Sequence, residues 1–123
     1  VKYSSPEIAR RYSRVKDYVA VNQAAVKEMH RQVGDLWQDS EGLARRGLLI
    51  RHLVMPGLPE ETAGVLAFIA AEISPNSYLN LMDQYRPCYR ADEHPPLDRP
   101  LTAGEYRAAL ALAKQRISMA PAP

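Results

Sequence analysis

The stretch Arg46–Gly57, RGLLIRHLVMPG, decides how the chain is read. Leu48, Leu49, Ile50, Leu53, Val54 and Met55 are apolar, and only Arg51 and His52 interrupt them before Pro56-Gly57 ends the run. A strand with one wet face alternates polar and apolar residues, whereas a run apolar at nearly every position expects burial on both faces, as in a parallel sheet covered by helices. Polar residues near the C-terminal end of such a strand face the ligand side. Alternation lets only one of Arg51 and His52 point that way. Arg51 is assigned inward, because a guanidinium offers several donors to a carboxylate or ribose oxygen; an arginine snorkelling at a rim has the same sequence signature. His52 is then a core histidine whose ring nitrogens find partners.

Outward from this strand the elements follow in turn. Val1, Lys2 and Tyr3 look like the end of a strand, and Ser5-Pro6-Glu7 is a helix start with a capping hydroxyl, a proline and an acid in the first turn. That helix ends near Ser13. From Val15 the positions Tyr18, Val19, Ala25, Val26, Met29 and Val33 recur at helical spacing up to Gly34, where a left-handed C-cap belongs. Asp39-Ser40-Glu41-Gly42 between Leu36-Trp37 and Leu43-Ala44 predicts a hairpin. After the strand Leu48 to Val54, Pro59, Glu60 and Glu61 open a helix whose buried stripe is Val65, Leu66, Ile69 and Ile73. Ser74-Pro75-Asn76 breaks it, and Tyr78 to Met82 is a second short strand. Asp83 to Pro100, with four prolines, is a long loop of the kind that is functional or disordered. Thr102 to Glu105 reads as a capping box, with Tyr106, Ala109, Leu110, Ala113 and Ile117 on one face of the final helix, and Ser118 to Pro123 as a frayed tail.

A chain of 123 residues holds one small domain. Its 46% apolar and 24% charged content is globular and not disordered. The formal charge of +2, with basic residues dispersed among acids, makes no case for nucleic acid. No apolar run approaches the roughly 20 residues of a membrane span, and no signal-peptide pattern follows Val1, so no membrane partner and a cytoplasmic location are expected. Cys88 is the single cysteine, which leaves no internal disulfide and no cysteine-built metal site within these residues.

The order strand end, helices, strand, helix, strand, loop, helix is repeated β/α winding, which makes parallel sheets or barrels. Two whole strands and a remnant are few for a sheet buried on both faces. The expected fold class is therefore α/β, the C-terminal half of a partial (β/α) barrel with parallel strands and flanking helices, residues 1–123 forming a single fragment. Open strand edges predict a homo-oligomer of the fragment. Polar groups gather at strand C-termini: Lys2 with Tyr3, Arg51 with His52, and Asn80 followed by Asp83, Gln84 and Tyr85. Lys2 is either a holder of an anionic ligand group or simply solvated. Asn80, inside an apolar strand, needs a partner, which is either a ligand network or a structural one. Cys88 reads as an ordinary loop thiol, and His30 and His94 as surface residues.

Five segments, VKYSSPEIARRYS, AVKEMHRQVGDL, GLARRGLLIRHLVMPG, AEISPNSYLNLMDQYRPCYRA and PLTAGEYRAALALAKQ, together resemble in this order the C-terminal half of radical S-adenosylmethionine proteins related to the pyruvate formate-lyase activating enzyme. The resemblance covers nearly all the chain. It implies a partial barrel, an iron–sulfur oxidoreductase chemistry in which a [4Fe–4S] cluster reductively cleaves S-adenosylmethionine, and, in the best-known members, placement of a glycyl radical on a partner enzyme. By this resemblance Lys2 falls on the lysine of an Asp-x-Lys strand end, and Arg51 on the arginine of an IRYVVVPG-like strand that contacts the cofactor. The family's Pro-Tyr-His run, whose histidine approaches the ribose, is replaced after Met82 by Asp83-Gln84-Tyr85, so Gln84 or Tyr85 stands in for the missing histidine. The family's CxxxCxxC cluster motif and glycine-rich stretch have no counterpart, and one cysteine cannot hold the cluster. The expectation is a fragment of a radical S-adenosylmethionine enzyme, begun inside the strand that ends at Lys2 and inactive alone, whose full-length form acts on a glycyl radical enzyme or another protein substrate. The alternatives are an ordinary β/α-barrel metabolic enzyme that takes a phosphate or small acid, and a non-catalytic interaction domain.

Overall fold

The computed structural model describes residues 1–118. The expected tail from Ser118 lies, apart from that residue, outside the described residues, and Ser118 is tied down, donating its amide to the Pro75 carbonyl at 2.8 Å. Helix α1 is Pro6–Ser13, begun by Ser5, whose Oγ accepts from the Ile8 amide, and ended by Arg14 at φ 56°. Helix α2 is Tyr18–Val33, which starts after Asp17 and not at Val15; Gly34, at φ 71°, closes it by donating its amide to the His30 carbonyl at 2.7 Å. That left-handed turn needs a glycine. Strands β1 (Trp37–Gln38) and β2 (Ala44–Arg46) form the expected antiparallel hairpin. Its turn is closed by the Asp39 carboxylate, which accepts from the Glu41 and Leu43 amides and from the Arg45 guanidinium.

Strand β3 (Leu49–Leu53) and strand β4 (Tyr78–Met82) run parallel, with Leu49 beside Tyr78, Arg51 beside Asn80 and Leu53 beside Met82. Between them lies α3 (Pro59–Phe68), continued by a wider π turn over Ile69–Ile73. Helix α4 is Ala103–Arg116, opened by the capping box in which Thr102 and Glu105 satisfy each other's amides. The main core joins Ile50, Val54, Leu79 and Leu81 of the strand segments to Val26 of α2, to Val65, Leu66, Phe68 and Ile69, and to Ala109, Ala113 and Ile117. A second, smaller cluster of Tyr3, Ala9, Val19, Met55, Leu58 and Leu97 sits beyond the C-terminal ends of the strands. Among the described residues no helix is long and apolar enough to cross a membrane.

The fold class departs from the half-barrel expected. The described residues form a small mixed α/β domain with two sheets of two strands each, and among them the parallel sheet consists of β3 and β4. A pair of strands has too little width to curl toward closure, which needs a sequence of tilted, staggered neighbours. Among the described residues there is accordingly no lumen for Arg51 to face. Burial on both faces fails for the same reason. Along β3 the residues alternate between exposed Leu49 and Arg51 and buried Ile50 and His52, because the core helices meet the second set only. Asn80, expected to need a buried partner, is exposed on the open face next to Arg51.

A cleft at the C-terminal ends of the parallel strands

The site is assembled from its anchors inward. Val1 lies along the free edge of β3: the Leu53 amide donates to the Val1 carbonyl at 3.3 Å and the Val1 amine donates to the Arg51 carbonyl at 2.7 Å. This pattern puts Val1 opposite His52, so Lys2, Leu53 and Met82 form one row across the end of the sheet. His52, 1% exposed, fastens the edge from inside. Its Nδ1 lies 2.9 Å from the Val1 carbonyl, which can only accept, so Nδ1 carries the proton and Nε2 accepts from the Thr62 hydroxyl at 2.9 Å. Burial is the main reason its pKa falls from the ordinary 6.5 to about 4. The core-histidine reading holds.

A second anchor was not legible as such. Glu61 reads from sequence as a first-turn acid, but it is 5% exposed and accepts from the Ser4 amide at 2.6 Å and the Ser5 amide at 3.0 Å. Its carboxylate thereby holds the start of α1 against α3. The approach is close: a Cβ on Gly64 would come within 2.6 Å of the Ser4 Cβ. With His52 on one side and Glu61 on the other, the segment carrying Lys2 and Tyr3 is fixed relative to the strand ends. Tyr3 is buried, donates to or accepts from Ser13 Oγ at 2.7 Å, and stands edge-on to Tyr18.

The long loop completes the enclosure and is ordered. Tyr85 donates its hydroxyl to the Leu97 carbonyl at 2.7 Å, and Leu97 is buried. The loop's far end is held by Glu105, which accepts from both amino groups of Arg99 at 2.9 Å and from the Gly57 amide at 2.8 Å. The bidentate Arg99 guanidinium, more than any other neighbour, holds the Glu105 carboxyl well below the usual carboxylate range.

The result is a cleft of about 780 Å³ lined by the row Lys2, Leu53 and Met82, by Tyr3 and Met55, by Tyr12 and Arg14 from the end of α1, and by the loop from Gln84 to Leu97. Of the residues singled out in the sequence, Lys2, Gln84 and Tyr85 come together here; Arg51 and Asn80 do not line it. Those two are neighbours on the open face, one side-chain repeat before Leu53 and Met82, a step of about 7 Å along the strands. Burial raises the Tyr85 pKa above the ordinary tyrosine value. Cys88 is an exposed thiol at the cleft, and His94, only half-buried, packs edge-on against Tyr12. His30 is not a free surface residue, since its Nε2 lies 2.8 Å from Asp35 Oδ1. Sequence reasoning missed Arg11, Arg14, Arg86 and Tyr89, whose signal was the basic and aromatic spacing of ARRYSR and RPCYR at the two segments that meet.

No family model matches the chain, and no solved structure matches it. The chain is similar to an uncharacterized protein of Methanocaldococcus jannaschii, 35% identical over 115 residues, which are 93% of this chain and 30% of that protein. The chain thus spans about a third of the curated relative it matches.

Proposed function

We propose that the chain is the part of a radical S-adenosylmethionine enzyme that holds the cofactor at its strand ends. The observation that carries this reading is the convergence of Lys2, Gln84 and Tyr85 on one cleft, beside a parallel strand pair that carries Arg51. By the resemblance to the pyruvate formate-lyase activating enzyme relatives, Lys2 falls on the lysine of the Asp-x-Lys strand end, Gln84 or Tyr85 takes the place of the histidine that approaches the ribose, and Arg51 falls on the arginine that contacts the cofactor. The greater length of the archaeal relative leaves room for a cluster-binding region in the whole protein. Cys88, as the chain's single thiol, does not fit the ligand set of a [4Fe–4S] cluster, so the chain's own contribution is to cofactor and substrate.

The chemistry that the bound cofactor supplies is reductive cleavage to a radical that abstracts hydrogen. The chain's residues bind and orient. Lys2 offers an ammonium to the cofactor carboxylate. Leu53, Met55 and Met82 give an apolar floor that excludes water from the nucleoside. Gln84 offers both donor and acceptor to a ribose hydroxyl. Tyr85, with its proton committed to Leu97, offers only its ring and an acceptor oxygen. The substrate in this reading is a glycyl radical enzyme or another protein. The test is product analysis: the longer protein containing this chain, reconstituted anaerobically with iron and sulfide and then reduced, should release 5′-deoxyadenosine from S-adenosylmethionine, while the isolated 123 residues should do neither. Stoichiometric iron–sulfur absorbance in the isolated chain, or a loaded longer protein that leaves the cofactor intact, contradicts the proposal.

A further inference from the structure

S-Adenosylmethionine carries a sulfonium and an ammonium against a single carboxylate, so a cleft shaped for it alone has no use for a surplus of positive charge. Yet the lining contains Lys2, Arg11, Arg14, Arg86 and Arg90 and, among the described residues, no aspartate or glutamate. Arg90 is neutralised by Glu93 at 2.6 Å. For the other four no carboxylate partner is found among the described residues, and Arg11 instead lies over the Tyr12 ring at 5.3 Å. The net charge of the whole chain is only +2, so this is a local concentration and not a general basicity. A concave, partly apolar wall focuses such a field.

Aromatic side chains accompany the cations. Tyr12 and Tyr89 belong to the lining, and Tyr89 is 96% exposed with its backbone in the left-handed region at φ 54°. Arg14, at φ 56°, is the other non-glycine residue with positive φ among the described residues, and it too lies on the rim. Left-handed backbone is uncommon for such residues and is held by its surroundings. The cleft's volume of about 780 Å³ is that of a small-molecule site.

We propose that the rim formed by Arg14 and Arg86, with Lys2 and Arg11 behind them, is a binding site for a phosphate ester. Guanidinium forks match phosphate oxygens in pairs, and a phosphate group brings more than one negative charge to a single point. Tyr89 and Tyr12 supply ring faces for the organic part. This site stands on the charge of the cleft and does not require the cofactor assignment.

Titration of the isotopically labelled chain with inorganic pyrophosphate, followed by amide chemical shifts without S-adenosylmethionine or iron, tests it. Saturable shifts should be confined to the amides around Lys2, Arg14 and Gln84 to Tyr89. Arg14→Gln with Arg86→Gln should weaken binding about tenfold or more, the effect of losing a charge-assisted hydrogen bond. Arg107→Gln with Lys114→Gln, the same charge change on exposed positions of α4, should leave it within about twofold, as expected for charges remote from the ligand and screened by salt. Adenosine 5′-diphosphate should bind more tightly than pyrophosphate, with added shifts at Tyr12 and Tyr89. Equal weakening by both pairs, or no saturation, overturns the site. Because neither cofactor nor cluster is present, failure here leaves the cofactor reading standing, and failure of cofactor cleavage leaves this site standing.

Discussion

Leu81 and Leu49 are the same residue type on the same pair of strands, yet one is 6% exposed and the other 45%. Leu81 belongs with Ile50, Val54 and Leu79 to the face on which α3 and α4 pack; Leu49 belongs with Arg51 and Asn80 to the face that the described residues leave open. Strand composition did not decide this. What decided it was which side the connecting helices return to, since each buries its own stripe against the nearest apolar surface. The polar residues then separate by face as well: His52, fully bonded, on the covered side, and Arg51 and Asn80 on the open side that leads to the cleft. One face is built into the core and the other is left exposed by the described residues.

The largest expected contrast comes from deleting the same atoms on each face. Leu81→Ala should destabilise the chain by about 2–5 kcal/mol, as buried leucines do, and Leu49→Ala by no more than about 0.5 kcal/mol, the usual range for exposed substitutions. Equal losses in urea denaturation would show that the open face is covered in solution.

The next effect is a pH dependence. His52 titrates at about 4 when folded against 6.5 ordinarily. The unfolded chain therefore binds more protons between these values, and stability rises with pH through the window. The contribution is complete above about pH 6.5 and lost as pH falls toward 4, amounting to about 3 kcal/mol at most. Replacing it by His52→Gln should flatten the denaturation midpoint across that window; an unchanged slope would place the titration elsewhere. Glu105, whose pKa is lowered, acts in the same direction at lower pH, its stabilisation present above the ordinary carboxylate value and lost on further acidification.

A smaller change is expected at the cap of α4. Thr102→Ala removes the hydroxyl that accepts from the Glu105 amide at 3.1 Å and should cost about 1 kcal/mol. Smallest of all, Arg51→Ala and Asn80→Ala should each leave stability within about 0.5 kcal/mol, as exposed side chains do.

Much of this was legible. The caps at Ser5, Gly34 and Thr102, the hairpin turn at Asp39 to Gly42, and the strand Tyr78–Met82 follow from local chemistry, and local chemistry is written in consecutive residues. The covered stripes were legible in part: Val65, Leu66, Ile69, Ala109, Ala113 and Ile117 are buried as the period predicts, whereas the buried Glu61, Thr62 and Phe68 lie outside the predicted stripe and Ile73 is only partly buried. Layer assignment was not. The run around Arg51 is apolar enough for two covered faces, and nothing in it says that only one is met. That Lys2, Gln84 and Tyr85 lie at one end of the sheet was legible because strand ends can be located. Arg14 and Arg86 were missed because they meet only when the end of α1 folds against a loop far along the chain. Glu61 was misread for the same reason, its partners Ser4 and Ser5 lying at the other end of the sequence.

The measurement that bears most directly on the proposed cofactor site is the S-adenosylmethionine affinity of a longer protein containing this chain, read by calorimetry in a Lys2→Ala variant that keeps its wild-type unfolding midpoint. The variant should weaken binding by about 1.5–3 kcal/mol, the range for a lost charge-assisted hydrogen bond. Unchanged affinity, with stability intact, would contradict the assignment of the cofactor to this end of the sheet.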